Sequence, residues 1–249
     1  PVLLERITAI TEDGASKLTE DFRSQLAPAD RLEVDEALSR LRRICQAAKD
    51  AAVPLLLDAE HSHRQPAVHL LAQELQKEFN RDKAVVYDTI QMYLAASPGR
   101  LEKALEKAER DNYTCAIKLV RGAYIEQEQA RGVVHGSKEA TDAAYDAAAS
   151  QLLAHVAQGG PTAALMLATH NRRSIQHAVT KMEELGLQRD HASVHFAQIL
   201  GMVDNLTLGL GRAGYNASKL LVFGEIHEVL PWLLRRTQEN RDAFGAQAE

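Results

Sequence analysis

Only two cysteines, Cys45 and Cys115, occur in 249 residues. So low a count excludes a disulfide framework and points to a reducing compartment. No uninterrupted apolar run reaches the ~18 residues that a membrane-spanning helix needs. Positive charge is not in excess either. The formal net charge is −5, so the basic footprint of a nucleic-acid binder is missing. No Pro/Gly/Ser-rich linker or low-complexity tract divides the chain, and residues 1–249 are expected to form a single domain. From Pro1 onward there is no signal-peptide or transit pattern. A processed chain is expected, and the compartment of the parent protein is left open. Several signature motifs are also missing. There is no GxSxG elbow and no P-loop. The run GLGRAG (209–214) holds glycines but follows a helical or loop segment, which argues against a dinucleotide fingerprint. His61 and His63 have strand-like spacing without a convincing third ligand, so no metal is expected.

What is present is ordinary globular material, with 45% hydrophobic and 25% charged residues. A chain of this length buries roughly three quarters of its unfolded surface. Short apolar or β-branched runs alternate with longer segments of helical spacing. The strand candidates are RITAI (6–10), VPLLLDA (53–59), AVVYDTI (84–90), CAIKLVRG (115–122), TAALMLA (162–168), SVHFAQI (193–199) and KLLVF (219–223). Helical spacing marks 31–51, where Leu32, Val34, Leu38, Leu41, Ile44 and Cys45 recur at about i, i+3, i+4. It also marks PAVHLLAQELQKEF, GRLEKALEKAER, KEATDAAYDAAASQLLAHV and RRSIQHAVTKMEELG, the last stopping at Gly186 as a C-cap. Such alternation predicts a mostly parallel sheet covered by helices. The strand runs are nearly continuously apolar, as expected when both faces are buried. A repeat of about 30 residues suits a doubly wound sheet or a (β/α)8 barrel. Seven strands are one short of a barrel. Polar residues at five successive strand ends favour a ring, because the C-terminal edge carries the site in both folds.

Those strand ends supply the candidates. Asp58 stands near the end of the VPLLLDA run and Glu60 just after it, either as a solvated cap or as carboxylates that orient a cation. In KLVRGAY, strand alternation puts Lys118 and Val120 on one face. A lysine there needs a carboxylate or an anionic ligand, and Gly122 allows close backbone approach. LATHN sets His170 and Asn171 after a strand, where a structural role is common. GSKEATDAAYDAA opens a helix with Ser137 or Thr141 as cap. That N-terminus, with Lys138, is either an ordinary cap or a pyrophosphate seat. EIHEVLPWLLRRTQEN reads as a last helix. Its Arg235 and Arg236 lie about 100° apart and form either a solvated pair or a carboxylate clamp.

Taken in order, RITAI, LLLDAE, DTIQMYL, KLVRGAYIEQE, EATDAAY, ATHN, FAQILGM and EVLPWLLRRTQEN resemble the proline dehydrogenase family, closest to its eukaryotic mitochondrial branch, which includes hydroxyproline dehydrogenase. The resemblance implies a distorted (β/α)8 barrel with FAD at the strand C-termini. It implies oxidation of L-proline to 1-pyrroline-5-carboxylate, a quinone as electron acceptor, peripheral association with a membrane and a mitochondrial setting. It assigns Asp58 and Lys118 to the catalytic centre, with Lys118 near the flavin. Arg235 and Arg236 would hold the imino acid carboxylate, Trp232 would pack near the substrate, and Leu200 would close the pocket. Ala59, Gln91, Val120, Arg121, Gly122, Ala123, Lys138, Thr141, Thr169 and His170 would line the cofactor. Three departures stand out. Arg6 replaces the lysine of the family's KLTAL, and arginine is not its equivalent. Leu220 stands where a tyrosine commonly packs on the proline ring, which opens hydroxyproline as an alternative substrate. The first barrel strand is expected to be missing, which would expose sheet edges. A degenerate barrel without turnover is the other alternative.

Overall fold

The computed structural model describes residues 26–159 and 163–239. Its element order is α1 (Pro28–Asp50), β1 (Leu55–Leu57), α2 (Gln65–Phe79), β2 (Val86–Gln91), α3 (Ser97–Asp111), β3 (Cys115–Val120), α4 (Ile125–Ala130), α5 (Lys138–Ala157), β4 (Ala163–Ala168), α6 (Arg172–Glu184), β5 (Val194–Ile199), α7 (Asp204–Arg212), β6 (Ala217–Leu220) and α8 (Ile226–Glu239). The six strands form one parallel sheet in strict chain order. A doubly wound sheet would reverse its order at a switch point. Sequential order is the barrel's signature, and the sheet is a curled half-barrel.

Sequence spacing explains the helices. In α5 the buried residues are Tyr145, Ala148, Ala149, Leu152, Leu153 and Val156, a stripe at i, i+3, i+4 steps that faces the sheet. Ser137 caps this helix by accepting from the Ala140 N–H at 3.1 Å. At the end of α6, Gly186 (φ 68) and Leu187 donate to Glu183 O and Met182 O at 3.1 and 2.9 Å. That double closure is a Schellman cap, and its left-handed residue favours glycine. The main core lies between the sheet's convex face and the helices. It joins Ile117, Leu119, Leu165, Leu167, Val194 and Phe196 to Leu101, Leu105, Tyr145, Leu153 and Met182. Asn80, wholly buried, stitches two strand starts together. Its Oδ1 accepts from Val85 N and Val86 N, both at 2.9 Å. Its Nδ2 donates to Val86 O and Thr114 O at 2.8 and 3.1 Å. Cys45 and Cys115 are buried free thiols. Burial pushes their pKa values up to about 11 and about 12 respectively.

Several expectations need correction. The VPLLLDA run yields only Leu55–Leu57, and these are half-exposed rather than buried. Among the described residues β1 pairs with β2 alone. RITAI falls outside the described residues. The last strand is Ala217–Leu220 rather than 219–223. The β5 ladder ends at Ile199↔Leu220, and beyond it Leu221 and Phe223 are exposed. Apolar composition marked that run, but a strand extends only as far as its partner. Two helices had no sequence reading of their own, α4 and α7. Gly209 and Gly211 of GLGRAG lie within α7, so that run is not a strand-to-helix phosphate loop. Among the described residues no helix is long and apolar enough to cross a membrane.

Candidate active site

The concave face of the half-barrel differs from the convex one. Along β3, β4 and β5 the convex residues are fully buried, while Lys118, Val120, Met166, Ala168, Ala197 and Ile199 are half-buried. Strand alternation puts these six on the other face. Deeper in the same face, Tyr87, Ala116 and Ala164 pack with Leu56 and Met166. Above that plug, Val120, Ala168, Ala197 and Ile199 form a half-buried apolar floor at the strand C-termini. Lys118 borders this floor, paired in register with Thr89 and Met166. Its Nζ donates to Asp58 Oδ1 at 2.6 Å, with the lysine side chain 17% exposed and the aspartate 76% exposed. So open a pair stabilises the fold by at most about 1 kcal/mol. Its value is positional, since it fixes one cation over the floor.

Gln91, 2% exposed, ties the two flanking loops together. Its Nε2 donates to Glu60 O at 3.0 Å, and its Oε1 accepts from Ala123 N at 3.2 Å. Ala59 lies between Asp58 and that anchor. Gly122 has φ +145, and a Cβ there would sit 1.7 Å from Tyr93 Cε1. A glycine is therefore required by the protein's own Tyr93 ring, whatever else approaches.

Of the two cationic side chains in KLVRGAY, only that of Lys118 borders the floor. Arg121 points into the helix layer. Its Nε donates to Asp142 Oδ1 at 2.7 Å, Nη1 to Thr169 Oγ1 at 2.7 Å and Nη2 to Ser174 Oγ at 2.8 Å. The guanidinium also lies 4.4 Å from the Tyr145 ring centroid, a cation–π contact. Arg121 is thus a strut across β3, β4, α5 and α6. Asp142 links it to Lys138, whose Nζ donates to Oδ2 at 2.7 Å. Burial acts to raise the Asp142 proton affinity, but hydrogen bonds from Lys138 and Arg121 prevail and hold it below the carboxylate range. Thr141 turns its hydroxyl back to Ser137 O at 3.3 Å.

Thr169 Oγ1 also accepts from Asn171 N at 3.1 Å. Asn171 is the N-cap of α6, accepting from Ser174 N at 3.1 Å. His170 Nε2 accepts from Ile199 N at 3.1 Å, which assigns the proton to Nδ1. Burial, reinforced by the charge of Lys219, lowers its pKa to about 4, so the ring is neutral at pH 7. Leu200 and Leu220 meet where Leu200 N donates to Leu220 O at 3.0 Å, and both side chains are exposed. On α8, Arg236 stacks 5.3 Å from the ring centroid of Trp232. The side chain of Arg235 and the whole of Arg6 lie outside the described residues.

Sequence reasoning missed Asp142, Ser174 and Tyr145, the partners of Arg121, and Glu128, which is buried on α4. Asp142 carried one usable signal, its i, i+4 spacing from Lys138. Glu128 sits in the polar run IEQEQ and reads as a solvated charge.

A planar, electron-rich aromatic group fits this donor set. The floor is half-open and apolar, and an ammonium group paired with Asp58 stands at its border. Among the described residues no cluster of three or more His, Cys, Asp or Glu is placed to hold a metal.

The chain is 35% identical over 231 residues to "Proline dehydrogenase 1, mitochondrial" of Drosophila melanogaster, covering 88% of this chain and 34% of that protein. It is 39% identical over 224 residues to "Hydroxyproline dehydrogenase" of Homo sapiens, covering 86% and 48% respectively. The chain therefore spans about a third to a half of the length of the curated relatives it matches. Among solved structures, proline utilization A from Bdellovibrio bacteriovorus superposes with a TM-score of 0.74 at 24% identity, over 82% of this chain and 21% of that one. This likeness supports the barrel fold. The family model for proline dehydrogenase matches residues 3–247, and the chain belongs to that family.

Proposed function

We propose that this chain is the catalytic barrel of an FAD-dependent dehydrogenase that oxidises L-proline to 1-pyrroline-5-carboxylate. The observation that carries the reading is the Lys118–Asp58 pair at the border of a half-open apolar floor. Bound FAD would supply the two-electron acceptor, with a quinone as the final oxidant. Lys118 holds a positive charge over the floor, and Asp58 fixes its Nζ. Val120, Ala168, Ala197 and Ile199 exclude water from one side of the planar group. Gln91 holds the Ala123 backbone at the edge, while Lys138, Thr141, Thr169 and His170 would hold the remainder of the cofactor. Arg235 and Arg236 take the substrate carboxylate through charge-assisted contacts. Trp232 backs Arg236, and Arg6, Leu200 and Leu220 enclose the ring. Fixing the carboxylate fixes the reacting C–H bond, an orientation effect. Asp58 is committed to Lys118, and His170 Nε2 to the Ile199 N–H. The imino nitrogen therefore loses its proton to solvent before or on binding. Relatives named as mitochondrial support a mitochondrial setting, and the quinone acceptor and peripheral membrane contact are part of the same proposal.

An absorbance spectrum of protein reconstituted with FAD tests the reading. Oxidised flavin bands that bleach on addition of proline are expected. Protein that stays colourless would overturn it, in favour of a barrel without turnover. Arg236→Met should raise the KM for proline at least tenfold, from loss of a charged contact worth about 1.5–3 kcal/mol. An unchanged KM removes Arg236 from the clamp. A second reading, hydroxyproline dehydrogenase, is favoured by Leu220, which offers neither the aromatic ring that would pack on the proline ring nor its hydroxyl. Steady-state kinetics on both imino acids decide between them, and equal or better turnover of proline sinks the second.

A further inference from the structure

Asp58 has little to hold it in place. It follows a three-residue strand at the described edge of the sheet, and its side chain is 76% exposed. The pairing that precedes it ends at Leu57↔Asp88. Its position therefore depends on how the β1–α2 loop is fastened. Gln91 and Gln65 hold Glu60, the former at its carbonyl and the latter by accepting from its N–H at 2.6 Å. The next anchor is Glu128, from the α4 helix that follows Lys118, Gly122 and Ala123.

The Glu128 side chain has no exposed surface. A buried carboxylate is tolerated only when its oxygens are matched by donors. Here they are matched by the β1–α2 loop. Ser62 N donates to Oε1 at 2.7 Å and Ser62 Oγ donates to Oε2 at 2.5 Å. His61 Nδ1 lies 3.4 Å from Oε1 and Arg131 Nε lies 3.7 Å from Oε2. The His61 ring packs 3.9 Å from that of Tyr124, and Arg131 Nη1 reaches 3.3 Å from His63 Nδ1. Burial raises the carboxyl's proton affinity, but the two Ser62 bonds, Arg131 and His61 reverse this and keep it below the usual range. The acid is therefore ionised at pH 7, and both its oxygens are committed to the loop.

We propose that Glu128 is a positioning residue, clamping the Asp58 loop to the loop that follows Lys118 so that the Asp58–Lys118 pair is held over the floor. The importance of that pair to turnover rests on the function proposed above, but the clamp itself does not. Hydrogen–deuterium exchange on flavin-free protein tests it directly. In Glu128→Ala, amides of residues 59–64 should exchange at least tenfold faster, while the strands 115–120 and 163–168 stay within twofold of the parent protein. Glu128→Gln should lie between the two, because its amide oxygen still accepts one Ser62 bond. Glu126→Ala, an exposed neighbour on the same helix, should change nothing. In flavin-loaded protein, Glu128→Ala should lower kcat for proline at least tenfold with bound flavin retained, and Glu128→Gln should recover part of it. If Glu128→Ala does not fold, Glu128→Gln and Ser62→Ala carry the same comparison. Unchanged exchange in 59–64 overturns the clamp. Faster exchange with unchanged kcat overturns the positioning role. A parent protein that never binds flavin refutes the proposed function, and the exchange data still decide whether the clamp exists.

Discussion

Substituting Gly122 by alanine tests the tightest contact in the structure. The residue has φ +145, and an added Cβ would lie 1.7 and 1.8 Å from Tyr93 Cε1 and Cδ1, with Cζ at 2.7 Å. Carbon atoms pack best at about 3.5–4.0 Å, so the ring must retreat by about 2 Å. It has little room to do so. Tyr93 is 2% exposed, and its backbone is held by Tyr93 N donating to Arg121 O at 2.8 Å and by His135 N donating to Tyr93 O at 2.9 Å. Backbone strain at this φ costs about 1–3 kcal/mol for an L residue, and overpacking typically adds about 1–3 kcal/mol. Gly122→Ala should therefore destabilise by about 2–6 kcal/mol. Tyr93→Ala alone should cost about 3–5 kcal/mol for the lost buried ring. In the double variant the collision is gone and only the strain remains. Its cost should fall short of the sum by about 1–3 kcal/mol, a coupling that a double-mutant cycle isolates. Urea unfolding of the four proteins, compared at equal m, measures it. Additivity within about 0.5 kcal/mol would refute the argument that Tyr93 is what forbids a side chain at position 122.

Two further predictions concern buried polar groups. His170 keeps its proton off until pH falls to about 4, whereas the unfolded chain takes one up near pH ~6.5. Between those values the unfolded state binds more protons, so stability must fall as pH drops through this window and level off below it. The span corresponds to at most about 3 kcal/mol, and partial exposure of the ring reduces it to about 2 kcal/mol. Denaturation of His170→Asn across about pH 4–7 should show a correspondingly flatter curve, and an identical curve would reject the assignment. Asn80→Ala strips partners from the N–H groups of Val85 and Val86 and from Thr114 O. Buried orphans of this kind should cost at least about 3 kcal/mol, and a loss below about 1 kcal/mol in urea unfolding would contradict the stitching role.

The two levels of information divide along physical lines. Within the described residues, periodicity located every strand and the long helices, because apolar spacing records which face of an element is buried. It also placed Asp58, Gln91, Lys118 and Thr169 at strand ends, where a parallel α/β sheet carries its site. Boundaries failed where composition and pairing disagree. Leu221 and Phe223 are as apolar as any strand residue, yet no partner strand extends beside them among the described residues.

The roles of individual polar side chains divide in the same way. Lys118 and Arg121 are close neighbours in KLVRGAY and look alike in sequence. Alternation along β3 turns Lys118 to the concave face, while Arg121, beyond the strand end, meets Asp142, Thr169 and Ser174 in the helix layer. Gly122 looks in sequence like room for a close backbone approach, and the fold adds an independent demand for glycine, because Tyr93 packs where a Cβ would stand. Glu128 looked like surface charge, and Ser62, 66 residues away, makes it a buried anchor. By itself the sequence determined the alternation of elements, the edge that carries the site and the family. Only the tertiary structure decided which polar groups meet there. The apolar period is a local property of the chain, whereas a hydrogen bond between residues far apart in sequence depends on how the packed helices bring their loops together.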